Sequence, residues 1–197
     1  MKLLYTKRSP YARKVRILAL EKKIELQLID EDLTNKSIAL LEANPLGKIP
    51  ALILDNGEAI FDSTVICQYI DGLNDSPILI PRQGKERIDV LRWEAIGDGL
   101  TDVSLAAYRE KLIHPADFNA PFVAAQEKTI GQTLAFIDHN VSQLQCLTLA
   151  PIAVAAGIGY TKFRLGHLVD NAKYPNLASW FEEFSKRPSV QSTVPVL

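Results

Sequence analysis

The chain has few sulfur atoms, few histidines and no pattern of metal ligands. Its 197 residues include two cysteines, one methionine and three histidines. Cys67 and Cys146 stand in the apolar segments STVICQYI and QLQCLTLA, and neither belongs to a CxxC motif or to a metal-ligand spacing. No two histidines are four residues apart, as helical metal ligands often are. We therefore expect two buried, inert thiols and no metal site.

An excess of charge of one sign is also absent. The 22 basic and 23 acidic residues leave a net charge of −1 and a pI near 6.3, which gives no support to a polyanion-binding surface. No apolar run approaches the roughly 20 residues that span a bilayer, and the first residues, MKLLYTKRSP, lack the apolar core and cleavage site of a signal peptide. We expect a cytoplasmic globular protein that binds neither nucleic acid nor membrane.

What the chain does contain is a change of hydrophobic period near its start. Residues 2–5 include a short apolar run, and apolar residues then recur at helical spacing over residues 11–22. After that the period is two, since Ile24, Leu26 and Leu28 alternate with polar residues. The pattern predicts a strand, a helix and a second strand, joined as a right-handed βαβ unit.

A hairpin and a third helix are predicted next. A short helix over residues 36–42 precedes two apolar runs, IPALIL and EAIF, which flank the turn sequence DNG. The segment DSTVICQYID then has helical spacing, with Asp62 or Ser63 as its N-cap. The predicted order up to residue 71 is therefore βαβ followed by ββα.

The second half of the chain is predicted to be helical. Residues 72–83, GLNDSPILIPRQ, have the Gly, Asn, Asp, Ser and Pro content of a linker. Helical periodicity follows over residues 86–111, 121–145, 149–163 and 176–187. We therefore predict an α+β domain over residues 1–75, a linker over residues 76–84 and an all-α domain over residues 85–197.

The junction between the first strand and the first helix carries a hydroxyl group beside a proline. In SPYARK, Pro10 suits the first position of a helix, because its missing N–H has no partner there in any case, and this makes Ser9 the N-cap. The Ser9 hydroxyl then either accepts a bond from a first-turn N–H, worth about 1 kcal/mol, or donates to a thiolate held at the positive end of the helix. The hexapeptide alone leaves both interpretations open.

Two further stretches suggest a site for an extended, peptide-like ligand. In NPLGKIPAL, Pro50 stands directly before a strand, where a cis X–Pro bond leaves the N–H and C=O of Ile49 free to pair with such a ligand. In FDSTV, the Ser63 hydroxyl and the first N–H groups of a helix suit a carboxylate. These features and Ser9 fall at the ends of elements of one predicted sheet, where open α/β sheets bind ligands.

These stretches resemble the successive landmarks of a known family. Cytosolic glutathione transferases, especially bacterial ones, have similar segments in the same order, and the similarity covers nearly the whole chain through SPYARKVRILALEKKI, NPLGKIPAL, FDSTVICQYI, LTLAPIAVAAGIGYTKFR and YPNLASWFEEFSKRPSV. The resemblance implies a thioredoxin-like N-terminal domain that holds glutathione and an all-helical C-terminal domain that forms the wall for a second substrate. It also implies a homodimer that pairs through residues 60–69 and the helix carrying Trp93.

The resemblance also implies roles for individual residues. Ser9 is implied as the residue that contacts the glutathione thiol, with Tyr5 or Thr6 as alternatives, while Tyr11 and Tyr108 are candidates for the second-substrate pocket. The remaining implied glutathione contacts are Ile49 beside a cis Pro50 for the cysteinyl unit, Asp62 and Ser63 for the γ-glutamyl unit, and Lys36 and Lys48 for the glycine carboxylate.

The implied activity is the conjugation of glutathione, as co-substrate, to small apolar electrophiles in detoxification. Two alternatives stay open, namely another glutathione-dependent activity, such as an isomerase, dehalogenase or peroxidase, and a non-catalytic adaptor with the same fold. Serine rather than cysteine before Pro10 disfavours a mixed-disulfide mechanism. In the helical half, Pro151 replaces the acid of the family's usual capping box, so we expect Thr148 to cap its helix alone.

Overall fold

A computed structural model describes residues 1–196 of the chain. Within these residues the strands are β1 (Lys2–Tyr5), β2 (Gln27–Asp30), β3 (Ala51–Ile53) and β4 (Ala59–Ile60). The α-helices are α1 (Pro10–Glu21), α2 (Ile38–Ala43), α3 (Ser63–Gly72), α4 (Gly84–Ile113), α5 (Ala120–Asn140), α6 (Leu149–Leu165), α7 (Pro175–Phe184) and α8 (Pro188–Gln191). Short 3₁₀ segments follow α5 at Val141–Leu144 and α6 at Gly166–Leu168.

The chain forms two compact units. The first comprises Met1–Arg82 together with the chain from Pro188 onward, and the second comprises Gln83–Arg187. The change from one unit to the next falls within the predicted linker of residues 76–84. At the other end the units differ from the predicted domains, because α8 packs on α1 and the Arg13 Nη2 donates to the Val190 carbonyl oxygen at 3.2 Å.

The first unit is built on a four-stranded mixed sheet in the order β2-β1-β3-β4. Strands β1 and β2 are parallel, whereas β3 runs antiparallel to both β1 and β4. The element order confirms the predicted βαβ followed by ββα. Helices α1 and α3 pack against each other, and each buries part of its apolar residues completely, among them Val15 and Leu18 of α1 and Ile66 and Ile70 of α3.

The second strand begins later than its alternating residues predict. Lys23 has a left-handed φ of 56°, and the Ile24 N–H donates to the Ala19 carbonyl oxygen at 2.8 Å. This arrangement is a typical helix-terminating turn, so Ile24 belongs to the end of α1. The alternation therefore starts three residues before the chain enters the sheet, and β2 forms at Gln27–Asp30.

The second unit is a helical bundle centred on α6. This helix is apolar on nearly all sides and most of its residues are buried, which is typical of a helix enclosed by others; it packs along α4, and α5 packs on α4 as well. Trp93 of α4 is only 2% exposed, so it is a core residue. None of the helices within residues 1–196 is long and apolar enough to cross a membrane.

The two cysteines differ in environment, which corrects one expectation. Cys67 is buried in α3 as predicted, but Cys146 is exposed. The reason is that α5 ends at Asn140 and continues as the 3₁₀ segment Val141–Leu144, so Cys146 falls in the bend before α6 and not in the helical context that its apolar neighbours predict.

Candidate functional site

The sheet topology brings three of the predicted features to one edge of the first unit. Because β3 is antiparallel to β1, with Leu4 paired to Ala51, the end of β1 lies beside the start of β3. The same holds for β3 and β4, since Leu52 pairs with Ile60. Ser9, Ile49–Pro50 and Asp62–Ser63 belong to segments that meet the sheet at this same end of its strands, as the sequence predicts.

Ser9 is the N-cap of α1. Its backbone is extended, with φ of −75° and ψ of 119°, and Pro10 occupies the first turn. The Ser9 Oγ accepts a hydrogen bond from the Ala12 N–H at 3.2 Å, and the residue is half-buried. A hydroxyl group that accepts from an N–H still has its own hydrogen to donate, so capping and donation to a ligand are compatible.

Tyr5 and Thr6, the alternative hydroxyl groups, lie at the end of β1. Tyr5 is 6% exposed, and the Arg16 guanidinium lies over its ring at 5.1 Å from the centroid. Thr6 is half-buried, and its carbonyl oxygen accepts from the Ser9 N–H at 3.2 Å. Among the three, only the Ser9 side chain is seen at a helix N-terminus.

The loop before β3 is held by a buried asparagine. The Asn44 side chain donates to the Lys48 carbonyl oxygen at 2.8 Å and accepts from the Leu46 N–H at 3.0 Å. Gly47 has a φ of 58°, a left-handed conformation that favours glycine. The Ile49–Pro50 peptide bond that follows is cis, and among residues 1–196 the Ile49 N–H and C=O take part in no backbone hydrogen bond of this loop.

Asp62 is the N-cap of α3. Its Oδ1 accepts from the Thr64 N–H at 3.0 Å, which settles the choice between Asp62 and Ser63 as the cap. Ser63 is the first residue of the helix and is only 3% exposed. The positive end of the helix dipole lies here, so this position combines N–H donors, a hydroxyl group and an exposed carboxylate.

Lys36 and Lys48 are both exposed at this part of the first unit. Lys36 precedes Ser37, the N-cap of α2, and its Nζ lies 2.9 Å from where a Cβ on Gly47 would be. The ammonium group of Lys36 is therefore next to the loop that carries Lys48. The two cations stand on segments that are close in space although they are twelve positions apart in the sequence.

Two further arginines on α1 link it to the end of the described chain. Burial, reinforced by the charge of Arg16, lowers the pKa of Arg13 to about 10. Arg13 donates to the Val190 carbonyl oxygen and to the Thr193 hydroxyl group, and Arg16 donates to the Ser192 carbonyl oxygen at 3.4 Å. These bonds hold α1, the helix that Ser9 caps, against the end of the described chain.

The residues predicted for the second-substrate pocket belong to different units. Tyr11 is half-buried in α1 of the first unit, and Tyr108 is half-buried in α4 of the second. The Arg164 guanidinium of α6 lies over the Tyr108 ring at 4.5 Å from the centroid. Burial raises the pKa of Tyr160, and the nearby Arg164 partly opposes this effect.

Asn44, Arg164 and Arg13, which the preceding paragraphs describe, were not predicted from the sequence as site residues. Asn44 has a local signal, since an asparagine two residues before a turn commonly bonds the backbone of that turn. Arg164 has a weaker one, because it follows Tyr160 by four positions and so shares a helix face with it. Arg13 has none, because its partners are about 180 positions away.

One cavity lies away from all predicted site residues. It has a volume of about 500 Å³ and lies between α6, α7 and the segment that joins them, with Lys162, Tyr174, Phe181 and Glu182 in its wall. Within residues 1–196, no group of three or more histidine, cysteine, aspartate or glutamate side chains is arranged to hold a metal ion.

Comparison with known proteins identifies the family. Residues 8–73 match the family model described as glutathione S-transferase, N-terminal domain. An uncharacterized glutathione-transferase-like protein of Escherichia coli strain K12, YibF, is 34% identical, and the alignment covers 99% of this chain and 98% of that protein.

Solved structures extend the likeness to three dimensions. A glutathione S-transferase of Methylobacillus flagellatus, solved with glutathione bound, is 38% identical over 99% of each chain, with a TM-score of 0.93. A glutathione transferase family member of Pseudomonas fluorescens, solved with bound S-(propanoic acid)-glutathione, is 34% identical over 99% of each chain, with a TM-score of 0.89. These likenesses confirm the predicted fold class, a thioredoxin-like domain followed by a helical one. This chain therefore belongs to the glutathione transferase superfamily.

Proposed function

We propose that the protein catalyses the conjugation of glutathione to small electrophiles with an apolar body, and that Ser9 stabilises the glutathione thiolate. The observation that carries this proposal is the position of Ser9, whose oxygen caps α1 while its hydrogen remains available as a donor. Glutathione bound to the Methylobacillus flagellatus structure and a glutathione conjugate bound to the Pseudomonas fluorescens structure support the choice of co-substrate.

The thiolate is the species that such a site must favour. A free thiol has a pKa near 8.5, so only a few per cent is ionised at neutral pH. Lowering this pKa by about two units requires roughly 2.7 kcal/mol of preferential stabilisation of the anion. A hydroxyl donor and the N-terminus of a twelve-residue helix supply interactions of this size.

The rest of glutathione matches the other features of the first unit. Its γ-glutamyl end carries a carboxylate and an ammonium group, which suit the N–H donors and hydroxyl group of Ser63 and the carboxylate of Asp62. The Ile49 N–H and C=O, beside Pro50, suit the cysteinyl backbone. The glycine carboxylate then pairs with the exposed ammonium groups of Lys36 and Lys48.

The chemical step is a nucleophilic attack by sulfur. The thiolate forms a bond to an electrophilic carbon, and either a leaving group departs with its electron pair or an activated alkene takes up a proton. Tyr11 and Tyr108 each stay a candidate for contact with the second substrate. This reaction requires glutathione as co-substrate, and the thiolate itself provides the nucleophile.

The setting of this reaction is part of the proposal. Glutathione is abundant and reduced in the cytoplasm, so we propose that the protein acts there in the removal of reactive electrophiles.

We also propose that the protein forms a homodimer. The exposed apolar side chains of Val65 on α3 and Ile88 on α4, 48% and 63% exposed, are candidates for its interface, and light scattering of the purified protein tests for a mass of twice 21.9 kDa.

The deciding experiment is a calorimetric titration with glutathione, combined with an ultraviolet titration of the bound thiol. Ser63→Ala is expected to weaken glutathione binding by about tenfold, since a donor to a charged group is lost. Ser9→Ala is expected to bind glutathione but to raise the pKa of the bound thiol towards 8.5. Ser142→Ala, at an exposed serine of the second unit, is the control and leaves both quantities unchanged.

Two results would contradict the proposal. If wild-type protein does not bind glutathione, the enzymatic function fails and a non-catalytic adaptor becomes the better interpretation. If glutathione binds but Ser9→Ala leaves the pKa of its thiol unchanged, Ser9 is only a helix cap, and Tyr5→Phe becomes the next variant to titrate.

A further inference from the structure

A buried carboxylate holds the connection between β2 and α2 in the first unit. Glu31 is 9% exposed, and it follows β2 directly, with its N–H donating to the Tyr5 carbonyl oxygen at 2.9 Å. Its Oε1 accepts from the Ser37 hydroxyl group at 2.9 Å, and its Oε2 accepts from the Ser37 N–H at 3.4 Å. Both oxygens of the carboxylate therefore bind one residue, six positions later in the chain.

Ser37 transmits this constraint to α2. Its hydroxyl group donates its hydrogen to Glu31, while its oxygen accepts from the Leu40 N–H at 3.0 Å as the N-cap of the helix. A hydroxyl group can make both bonds at once. Because α2 has only six residues, too few for a helix that is stable on its own, the position where it begins depends on such contacts. Glu31 therefore fixes the start of α2 relative to the end of β2.

The residue before Ser37 is Lys36, whose side chain extends to the loop before β3. The N–H that Glu31 binds belongs to the peptide bond between Lys36 and Ser37, so the carboxylate also restrains the backbone of Lys36. The Lys36 Nζ and Cδ lie 2.9 and 3.3 Å from where a Cβ on Gly47 would be. Within residues 1–196 the Lys36 ammonium group forms no ion pair. It is therefore a cation without a protein anion, held beside this loop.

The Lys36 ammonium group lies within reach of the proposed ligand. Gly47 precedes Ile49 by two residues, which span at most about 7 Å. We have proposed that the cysteinyl unit of glutathione pairs with Ile49, and glycine is the next unit of that ligand. One more residue advances an extended peptide by about 3.5 Å, so the glycine carboxylate falls within reach of Lys36. All of these residues belong to the first unit.

We infer that Glu31 is a positioning residue for glutathione, which orients Lys36 towards the glycine carboxylate by holding Ser37. The site is then selective for a thiol peptide whose last carboxylate is free, an inference that rests on the proposed function. The charge of Glu31 acts in the opposite direction, because a negative charge near the site repels the bound carboxylate. The two effects of Glu31 thus differ in sign, and a binding experiment separates them.

The probes are glutathione and glutathione amide, in which the glycine carboxylate is replaced by a neutral carboxamide. Calorimetry gives a Kd for each, and the measured quantity is the ratio of the amide Kd to the glutathione Kd. In wild-type protein this ratio is expected to be about five or more, the effect of a contact between a lysine and a carboxylate. Damage to the fold or to the thiol site weakens both ligands and leaves the ratio unchanged.

The variants test whether Glu31 acts through Lys36. Glu31→Gln is expected to lower the ratio to about two, because one of the two acceptors that face Ser37 becomes a donor. Lys36→Met should lower it as well, and adding Glu31→Gln to Lys36→Met should cause no further fall, as for two residues that act as one unit. Glu58→Gln removes the same charge from an exposed side chain in the hairpin, where it accepts from Asn56, and keeps the wild-type ratio.

Ser37→Ala is the second variant if Glu31→Gln does not fold. It breaks the link between Glu31 and Lys36 at its middle, leaves the charge of Glu31 in place, and should lower the ratio as well.

The possible failures are distinct. If both ligands bind to wild-type protein with a ratio near one, the inference is wrong while the conjugation of glutathione stands. The inference is also wrong if Glu31→Gln folds and keeps or raises the ratio, because Glu31 then acts only on the fold or through its charge. A ratio in the double variant below that of Lys36→Met would show that Glu31 acts by another route. If neither ligand binds, the proposed function itself fails and the inference fails with it.

Discussion

The ammonium group of Lys22 lies 3.1 Å from the carboxylate of Asp71, and the two side chains are 0% and 2% exposed. Lys22 follows α1, whereas Asp71 is near the end of α3. The Lys22 Nζ also donates to three carbonyl oxygens, those of Asp71, Asn74 and Pro77, at 2.7 to 2.9 Å. The Asp71 carboxylate in turn accepts from the N–H groups of Leu79 and Ile80. One buried ion pair therefore fixes the chain that leaves the α+β part of the first unit.

Removing the cation from this pair is expected to destabilise the fold severely. Lys22→Met leaves a buried carboxylate and three carbonyl oxygens without their shared partner, which costs about 3 to 5 kcal/mol of unfolding free energy. Urea denaturation measures the loss. Lys186→Met breaks an exposed pair with Glu183 and should change stability by less than about 1 kcal/mol. Similar small losses for both variants would contradict the structural role of Lys22.

The ends of elements were the most predictable part of this protein. Ser9 caps α1 and Thr148 caps α6, as their sequences predict, because a cap depends only on residues within about three positions. The sheet edge that unites Ser9, Ile49 and Ser63 was predictable for a related reason. The βαβ unit and the hairpin predict the pairs β1–β2 and β3–β4, and the folded chain adds the pairing of β1 with β3 that completes the sheet.

Contacts between distant parts of the chain were not predictable in this way. Arg13 has the pattern of any charged helix residue, and only the folded chain shows it buried against Val190, 177 positions later. The exposure of Cys146 depends on where α5 changes to a 3₁₀ segment, which apolar periodicity does not reveal. The partners of Arg164 likewise come from the packing of α6 along α4.

The crossing of α4 and α6 depends on a glycine. A Cβ on Gly97 would lie 2.5 Å from the backbone carbon of Ala153, and the backbone cannot yield as a flexible side chain does. Gly97→Ala is therefore expected to lower the unfolding free energy by about 1 to 3 kcal/mol or more. Gly99→Ala is the matched control, because nothing lies within 4 Å of its Cβ and helix propensity alone should stabilise it by about 0.5 to 1 kcal/mol. Thermal unfolding of the two variants should thus give shifts of opposite sign, and shifts of the same sign would refute the close contact.

The cap of α6 acts without the usual second partner. The Thr148 Oγ1 accepts from the Ala150 N–H at 3.3 Å, and Pro151 offers no side-chain acceptor for a reciprocal bond. Thr148→Ala is expected to cost about 1 kcal/mol of stability, as for an isolated N-cap. Thr129→Ala removes a hydroxyl group that bonds the Ala125 carbonyl oxygen inside α5, where a change within about 0.5 kcal/mol is expected. Denaturation midpoints compare the two, and an equal effect would mean that Thr148 contributes no capping energy.

Asn44 connects the stability of the first unit to its proposed ligand. It is 2% exposed, and its side chain bonds both Leu46 and Lys48, at either side of the left-handed Gly47. Asn44→Ala leaves these partly buried backbone groups without their side-chain partner, which is expected to cost about 1 kcal/mol of stability.

The same substitution releases the loop that presents Lys48 and Ile49, so glutathione binding should weaken along with stability, whereas Asn56→Ala, in the exposed hairpin turn, should affect neither. Calorimetry at a temperature where both variants are folded separates the two effects. If Asn44→Ala is destabilised but binds glutathione with wild-type affinity, the loop has a structural role only, and the proposed contact of Ile49 with the cysteinyl unit must be abandoned.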